Sequence, residues 1–336
     1  MPSWSPIVFE SQNLLKQGDL ISPNSCFFQV MMSITRFKHH LHTLVLFTYS
    51  DIKAVILPQS TFAISLFFSS HDIILPSDAA LPDFTCCLLW RLAQMFAWLW
   101  LHLLILDLSN QRLPESVAED ALNKPWRPLP SKRLTSADAS WLLTLAVPLG
   151  MGLSLLTGLE AYVPSTTLLC LCWLYNDLEG SSSSLIVRNL LNALGLTCFG
   201  WGALAVLAGP GAQLLMPNAA KWMCITVAII FTTIHVQDFR DEAGDRARGR
   251  RSIALEFSPF VARGSCIISI LFWSIAAPAF WTWPLTESLY VTLVTVGLGA
   301  VVSGLLIARH SQRMDEHALT VWCLWVGWIY LLPVLL

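Results

Sequence analysis

Apolar runs long enough to cross a bilayer recur along the whole chain, at about 50–69, 85–106, 140–159, 161–178, 189–209, 219–236, 257–280, 287–308 and 318–336. A spanning helix needs about 20 mainly apolar residues, and inside lipid only a helix or a closed barrel satisfies its own backbone groups. Runs of this length point to helices. The expectation is an all-α polytopic membrane protein with about nine transmembrane helices. The first run is the weakest, because Asp51 and Lys53 stand at its start and Pro58 inside it; residues 39–50 read as an interfacial helix leading in. Residues 1–40 read as an N-terminal extension and 41–336 as the transmembrane domain. The first forty residues carry no short apolar core with a small-residue cleavage site, so insertion is expected to rely on the first span.

Charge content agrees. Only 12% of the 336 residues are charged, against about 25% in a typical soluble domain. Fifteen Trp fit a chain that meets two lipid–water interfaces. The nine cysteines sit mostly inside apolar runs, with no CxxC pair and no His at ligand spacing, which argues against a disulfide framework or a zinc site. No glycine-rich phosphate loop, HExxH or GxSxG pattern organises a nucleotide or hydrolase site, and nothing suggests nucleic acid.

Lys and Arg test the count of spans, since cytoplasmic loops carry the positive excess. With nine spans, one side holds Lys16, Arg36 and Lys38, then Arg112, Lys124, Arg127, Lys132 and Arg133. The same side holds Arg188, then Arg240, Arg246, Arg248, Arg250 and Arg251, and finally Arg309 and Arg313. The other side holds Lys221. The charged loops are therefore expected to face the cytoplasm.

Half of all Lys and Arg, ten of twenty, lie in 107–140 and 237–256, with ten of the twenty-two acids. In QDFRDEAGDRARGRRS the acids Asp238, Asp241, Glu242 and Asp245 fall at i, i+3, i+4 and i+7, one face of a helix. Four acids on one face repel unless cations occupy them, and Mg²⁺ takes one or two carboxylates with phosphate oxygens and water. Arginines at 246, 248, 250 and 251 supply the phosphate-binding half. The segment after Asp107 repeats the plan four spans earlier. There LDLSNQRLP places Asp107, Asn110, Gln111 and Pro114 at the matching offsets, so the acids thin out; Glu119 and Asp120 are expected to supply the missing carboxylates. Lys124, Arg127, Lys132 and Arg133 form its basic half, in a loop that Pro125, Pro128 and Pro130 keep from being helical.

Ionisable groups near membrane depth mark pathways or sites. Arg91 reads as a snorkelling or helix-pairing residue, His235 as structural, and Asp177 and Glu179 as interfacial or functional with equal weight. Trp98, Trp100, Trp173, Trp201 and Trp222 are candidates for a cavity wall, although packing and anchoring account for most such rings. A transporter with charged gates would place its acids near the midplane, whereas these gather at span ends beside bases. A scaffold that has lost activity is the third reading, motivated by the acids missing after Asp107.

The whole arrangement resembles the UbiA superfamily of intramembrane prenyltransferases, over about residue 40 to the end. DFRDEAGDRARGRRSIAL is similar to that family's second Asp-rich motif, with its Gly-Asp-Arg and the bases leading into the next helix. The first motif departs from NDxxDxxxD. DLSNQ followed by ED and NKPWRPLPSKRLT resembles instead a fungal branch that contains membrane-bound sesquiterpene cyclases of secondary metabolism. The resemblance implies a UbiA-type bundle with a central cavity capped by two Asp-rich loops. It implies Mg²⁺-dependent loss of diphosphate from an allylic isoprenoid, with farnesyl diphosphate the leading substrate, in the endoplasmic reticulum membrane. On this reading Asp107, Asn110, Glu119, Asp120, Asp238, Asp241 and Asp245 surround the metal ions, and Lys124, Arg127, Arg246 and Arg250 contact the diphosphate. If an internal alkene attacks the cation the enzyme is a cyclase, and if a second substrate attacks it is a prenyltransferase.

Overall fold

The structure is a computed structural model that describes residues 37–69, 84–212, 214, 217–308 and 311–336. Residues 1–36, nearly all of the expected extension, lie outside the described residues. Among those described the regular structure is helical: α1 (37–48), α2 (Ile56–Phe68), α3 (Phe84–Gln111), α4 (Pro114–Asn123), α5 (Ser136–Thr157), α6 (Leu159–Asn176) and the single turn α7 (Gly180–Ser183). Then follow α8 (Leu185–Ala208), α9 (Pro217–Thr233), α10 (Val236–Arg248), the single turn α11 (Ile253–Glu256), α12 (Pro259–Trp281), α13 (Leu289–Ile307) and α14 (Gln312–Leu335).

Six of these are long and apolar enough to cross a bilayer, and α9 with α10 adds a seventh as a pair bent by 50°. The nine expected spans map onto α2, α3, α5, α6, α8, α9–α10, α12, α13 and α14. Two of them fall short of a full apolar span. The 13 residues of α2 reach about 20 Å at 1.5 Å per residue, and the 18 of α6 are diluted by Glu160, Ser165, Thr166, Thr167 and Asn176. The chain is an integral membrane protein.

Helix α8 sits centrally, packed by α2, α3, α6 and α9, and from Thr197 onward nearly every one of its residues is buried. Close approach to α3 depends on Gly202, since a Cβ there would run into the Trp98 ring. Lipid gives apolar side chains little reason to leave it, so polar contacts and small residues hold such helices together. Trp98 Nε1 donates to Ser154 Oγ at 2.8 Å, and His102 Nε2 meets Ser165 Oγ at 2.7 Å, which ties α3 to α5 and α6. On the other side Trp325 donates to Ser274 at 2.9 Å and Trp328 to Thr295 at 2.9 Å, tying α14 to α12 and α13. Arg91 pairs helices as expected: its guanidinium donates to the Ala208 carbonyl at the C-terminal end of α8.

Two local signals set the loops around the site. Pro114 opens α4 at a position where its missing N–H goes unneeded, so the chain turns at Arg112–Leu113 and α3 ends at Gln111. Thr135 and Asp138 form a capping box that starts α5 and ends the proline-rich segment. That segment is a series of turns, with Ser131 N–H to Arg127 O at 3.0 Å and Arg133 N–H to Pro128 O at 2.9 Å. It carries Arg127 back inside the protein.

Candidate active site

One cavity of about 190 Å³ brings the two charged segments together. Its polar end is lined by Asp51, Asp107, Asn110, Glu119, Lys124, Arg127, Arg188, Arg240, Asp241 and Arg250. Its apolar end is lined by Leu103, Leu168, Leu171, Leu191, Leu196 and Phe199, with Tyr175 and Trp322 also on the wall.

Helix geometry divides the second motif. Successive residues turn by about 100° around a helix, so adjacent Asp241 and Glu242 cannot both face one cavity. Asp241 faces it. Glu242 turns outward and accepts from Arg246 at 2.8 Å, an exposed pair one turn apart. Of the four acids expected on one face, Asp241 alone lines the cavity, and Arg246 does not reach it. Asp238 and Asp245 lie between those two directions, buried in protein at 1% and 0% exposure rather than on the cavity wall. Both grip Arg188 on α8, Asp238 at 2.8 Å and Asp245 at 3.3 Å. Asp245 also accepts from Arg250 at 3.2 Å.

The first motif is divided too. Asp107 and Asn110 line the cavity from α3. The new helix α4 buries Glu119 and Asp120, and each is engaged by arginine. Glu119 reaches the cavity wall but gives one oxygen to Arg250 at 2.8 Å and the other to Arg248 at 3.1 Å. Asp120 gives both oxygens to Arg127, at 2.9 and 3.1 Å, and does not line the cavity. Arg127 also donates to Asp51 at 2.8 Å. Burial acts to lower the Arg127 pKa, and the carboxylates of Asp51 and Asp120 more than reverse it, so the guanidinium stays charged. For Asp51, burial acts to raise the carboxyl; Lys124 and Arg127 override it and hold the group below the usual carboxylate range.

Arg240, inside the second motif, lines the cavity without having been an expected ligand, and Asp51 and Arg188 are cavity residues that the motifs do not contain. Their sequence signal was ionisable groups inside or beside apolar runs, read for Asp51 as a flaw in the first span. The five tryptophans singled out as cavity candidates do not line it; Trp98 and Trp222 are fully buried packing residues and Trp173 is 55% exposed. His235 faces Ser265 at 3.2 Å and is structural. Asp177 pairs with Arg112 outside the cavity.

No three His, Cys, Asp or Glu side chains converge on a ready-made metal cage among the described residues. Mg²⁺ needs no such cage, because substrate phosphate and water complete its octahedron. Unmet hydrogen-bonding capacity fits an anion with a cation. Asp107 Oδ2 and Asp238 Oδ2 are buried acceptors without partners, while Arg127 Nε, Arg188 Nε and Nη1, and Arg250 Nε are buried donors without partners. Natural proteins rarely leave such groups unsatisfied.

Fold and site together define an integral membrane enzyme of all-helical build, with a cavity that is charged at one end and apolar at the other. Residues 81–332 match the UbiA prenyltransferase family, and the chain belongs to that family. It is 31% identical over 299 residues to fumagillin beta-trans-bergamotene synthase of Aspergillus fumigatus, covering 88% of this chain and 92% of that protein. It is 26% identical to a diterpene cyclase of Hericium erinaceus, over 81% of this chain and 80% of the relative. A UbiA homolog from Archaeoglobus fulgidus bound to GPP and Mg²⁺ shares the fold, with a TM-score of 0.59 and 10% identity over 88% of this chain and 100% of that one.

Proposed function

We propose that this enzyme ionises an allylic isoprenoid diphosphate with Mg²⁺ and cyclises the resulting carbocation, with farnesyl diphosphate as substrate and a sesquiterpene as product. The observation that carries the reading is the two-ended cavity. Diphosphate fits among Arg188, Arg250, Lys124 and Arg127. The isoprenoid chain fits against Leu168, Leu171, Leu196 and Phe199.

Asp107, Asn110 and Asp241 are the residues that would hold Mg²⁺ at the cavity, with Asp238 behind them; Asp241, whose two oxygens each accept from Arg240 at 2.8 Å, would have to exchange that pairing for the metal, and bound metal would add positive charge to the departing diphosphate. Arg188 and Arg250 are fixed by carboxylates before substrate arrives, so their free N–H groups stabilise the leaving group without reorganising. Asp245 and Glu119 are positioning residues for those arginines, and Asp120 positions Arg127. As the C–O bond breaks, the electron pair leaves with the diphosphate and the cation remains over apolar walls. Those walls exclude water, and the faces of Phe199, Tyr175 and Trp322 stabilise positive charge. The names of the two cyclising relatives support intramolecular attack. The gathering of Lys and Arg on the side of the motif loops supports a cytoplasmic mouth, and the proposed membrane is that of the endoplasmic reticulum.

The test is incubation of purified protein with Mg²⁺ and farnesyl diphosphate and no acceptor. A cyclic hydrocarbon is expected, lost on chelation by EDTA. Diphosphate release without a cyclic product, or turnover only with an aromatic acceptor, would replace cyclisation by prenyl transfer, the reaction in the family's name.

A further inference from the structure

The first motif lacks carboxylates at Asn110 and Pro114, and the two acids that follow it are not free to replace them. Both oxygens of Glu119 are taken by Arg248 and Arg250, and both of Asp120 by Arg127. An acid from elsewhere stands in their place. Asp51, in the turn between α1 and α2, lines the same cavity as Asp107 and Asn110. A second observation points to a ligand: Asp107 is 3% exposed, lines the cavity, and leaves Oδ2 without a partner. A carboxylate only accepts, so an orphaned buried oxygen in a cavity that carries a second carboxyl calls for a cation.

We propose that Asp51 completes the first metal position, acting with Asp107 and Asn110 as a ligand for the divalent cation that accompanies the diphosphate. This rests on the function proposed above. The α1–α2 turn supplies what α3 lost: a carboxylate delivered across the cavity mouth rather than from the next helical turn. Lys124 and Arg127 stand close enough to balance the added charge. Arg127 also anchors the side chain, through Nη2 to Asp51 Oδ2 at 2.8 Å and to Ser50 Oγ at 2.8 Å.

The competing role for Asp51 is purely to anchor Arg127, and binding of metal separates the two. Mn²⁺, standing in for Mg²⁺, is titrated by electron paramagnetic resonance into the full-length protein in nanodiscs, with a non-ionisable farnesyl thiodiphosphate present. Asp51→Asn still accepts the Arg127 hydrogen bond but loses the charge. It is expected to weaken Mn²⁺ by about 10–100-fold or more, the loss seen even for residues behind a metal's direct ligands, while Asp51→Glu recovers most of the affinity. Asp51→Ser reads the same quantity if the Asn variant is not recovered as a single species. Unchanged Mn²⁺ affinity in Asp51→Asn or Asp51→Ser overturns the proposal and leaves the diphosphate chemistry standing. Absence of Mn²⁺ binding in the unsubstituted protein overturns both.

Discussion

Arg188, at the start of α8, donates to Asp238, at the start of α10, at 2.8 Å, with the two side chains 4% and 1% exposed. A buried charge this far from water is tolerated only when paired, and removing one partner of a buried pair typically costs about 3–5 kcal/mol. Arg188 keeps Nε and Nη1 without partners, so the pair both closes the protein and presents a cation. Arg188→Gln is expected to lower kcat by about 10²-fold, the scale of losing one preorganised donor, and to lower the thermal midpoint. Asp238→Asn, which still accepts a hydrogen bond, should keep more of the stability than Arg188→Gln. Steady-state kinetics with differential scanning fluorimetry in detergent checks both.

Arg246 offers a contrast within the same motif. It sits outward, paired only with Glu242 one turn away, and exposed pairs of this kind contribute about 0.3–0.5 kcal/mol. Arg246→Ala should leave kcat/KM within about twofold of the unsubstituted enzyme, well inside the factor of ten that 1.4 kcal/mol represents. Arg250→Ala, which removes one of the two arginine partners from each of Glu119 and Asp245, should reduce kcat by about 10²-fold or more. Equal losses in the two variants would mean that the outward arginine reaches the substrate.

Gly195 lies on the cavity wall, and a Cβ placed there meets nothing within 4 Å. A larger side chain therefore fills cavity rather than protein. Gly195→Phe is expected to shift preference from farnesyl towards geranyl diphosphate, changing the kcat/KM ratio by about 10–200-fold, the range for modest changes in an apolar pocket. Competition between the two substrates, with products read by gas chromatography, measures that ratio.

Gly202 occupies the opposite situation. A Cβ on this residue enters the ring of Trp98, which is itself fixed to Ser154. Gly202→Ala should force α3 and α8 apart and destabilise the protein by about 1–3 kcal/mol. A lower thermal midpoint with unchanged substrate preference is the expected pair of results.

Much of this protein was legible in its sequence because the bilayer imposes simple rules. Run length located the helices, with only α2 and α6 marginal, and charge clustering pointed to the two segments whose residues line one cavity. Helical spacing fixed which acids share a face, and the repeat of the motif four spans apart implied a common cavity. Spacing alone left Glu242 and Arg246 among the inward residues, because a four-acid stripe spans a wider arc than one cavity wall.

Tertiary structure decided which charges are free. Asp245, Glu119 and Asp120 have the residue type of metal ligands, yet arginines from other elements occupy their oxygens. Asp51 looked like a defect in an apolar run and became a cavity residue because the turn after α1 folds over the end of α3. Whether a carboxylate grips an arginine, faces a metal position or meets water depends on neighbours tens of residues away, and local pattern carries no record of them. The sequence determined where charge had to gather; the packing of α4, α8 and α10 determined which of it faces the cavity.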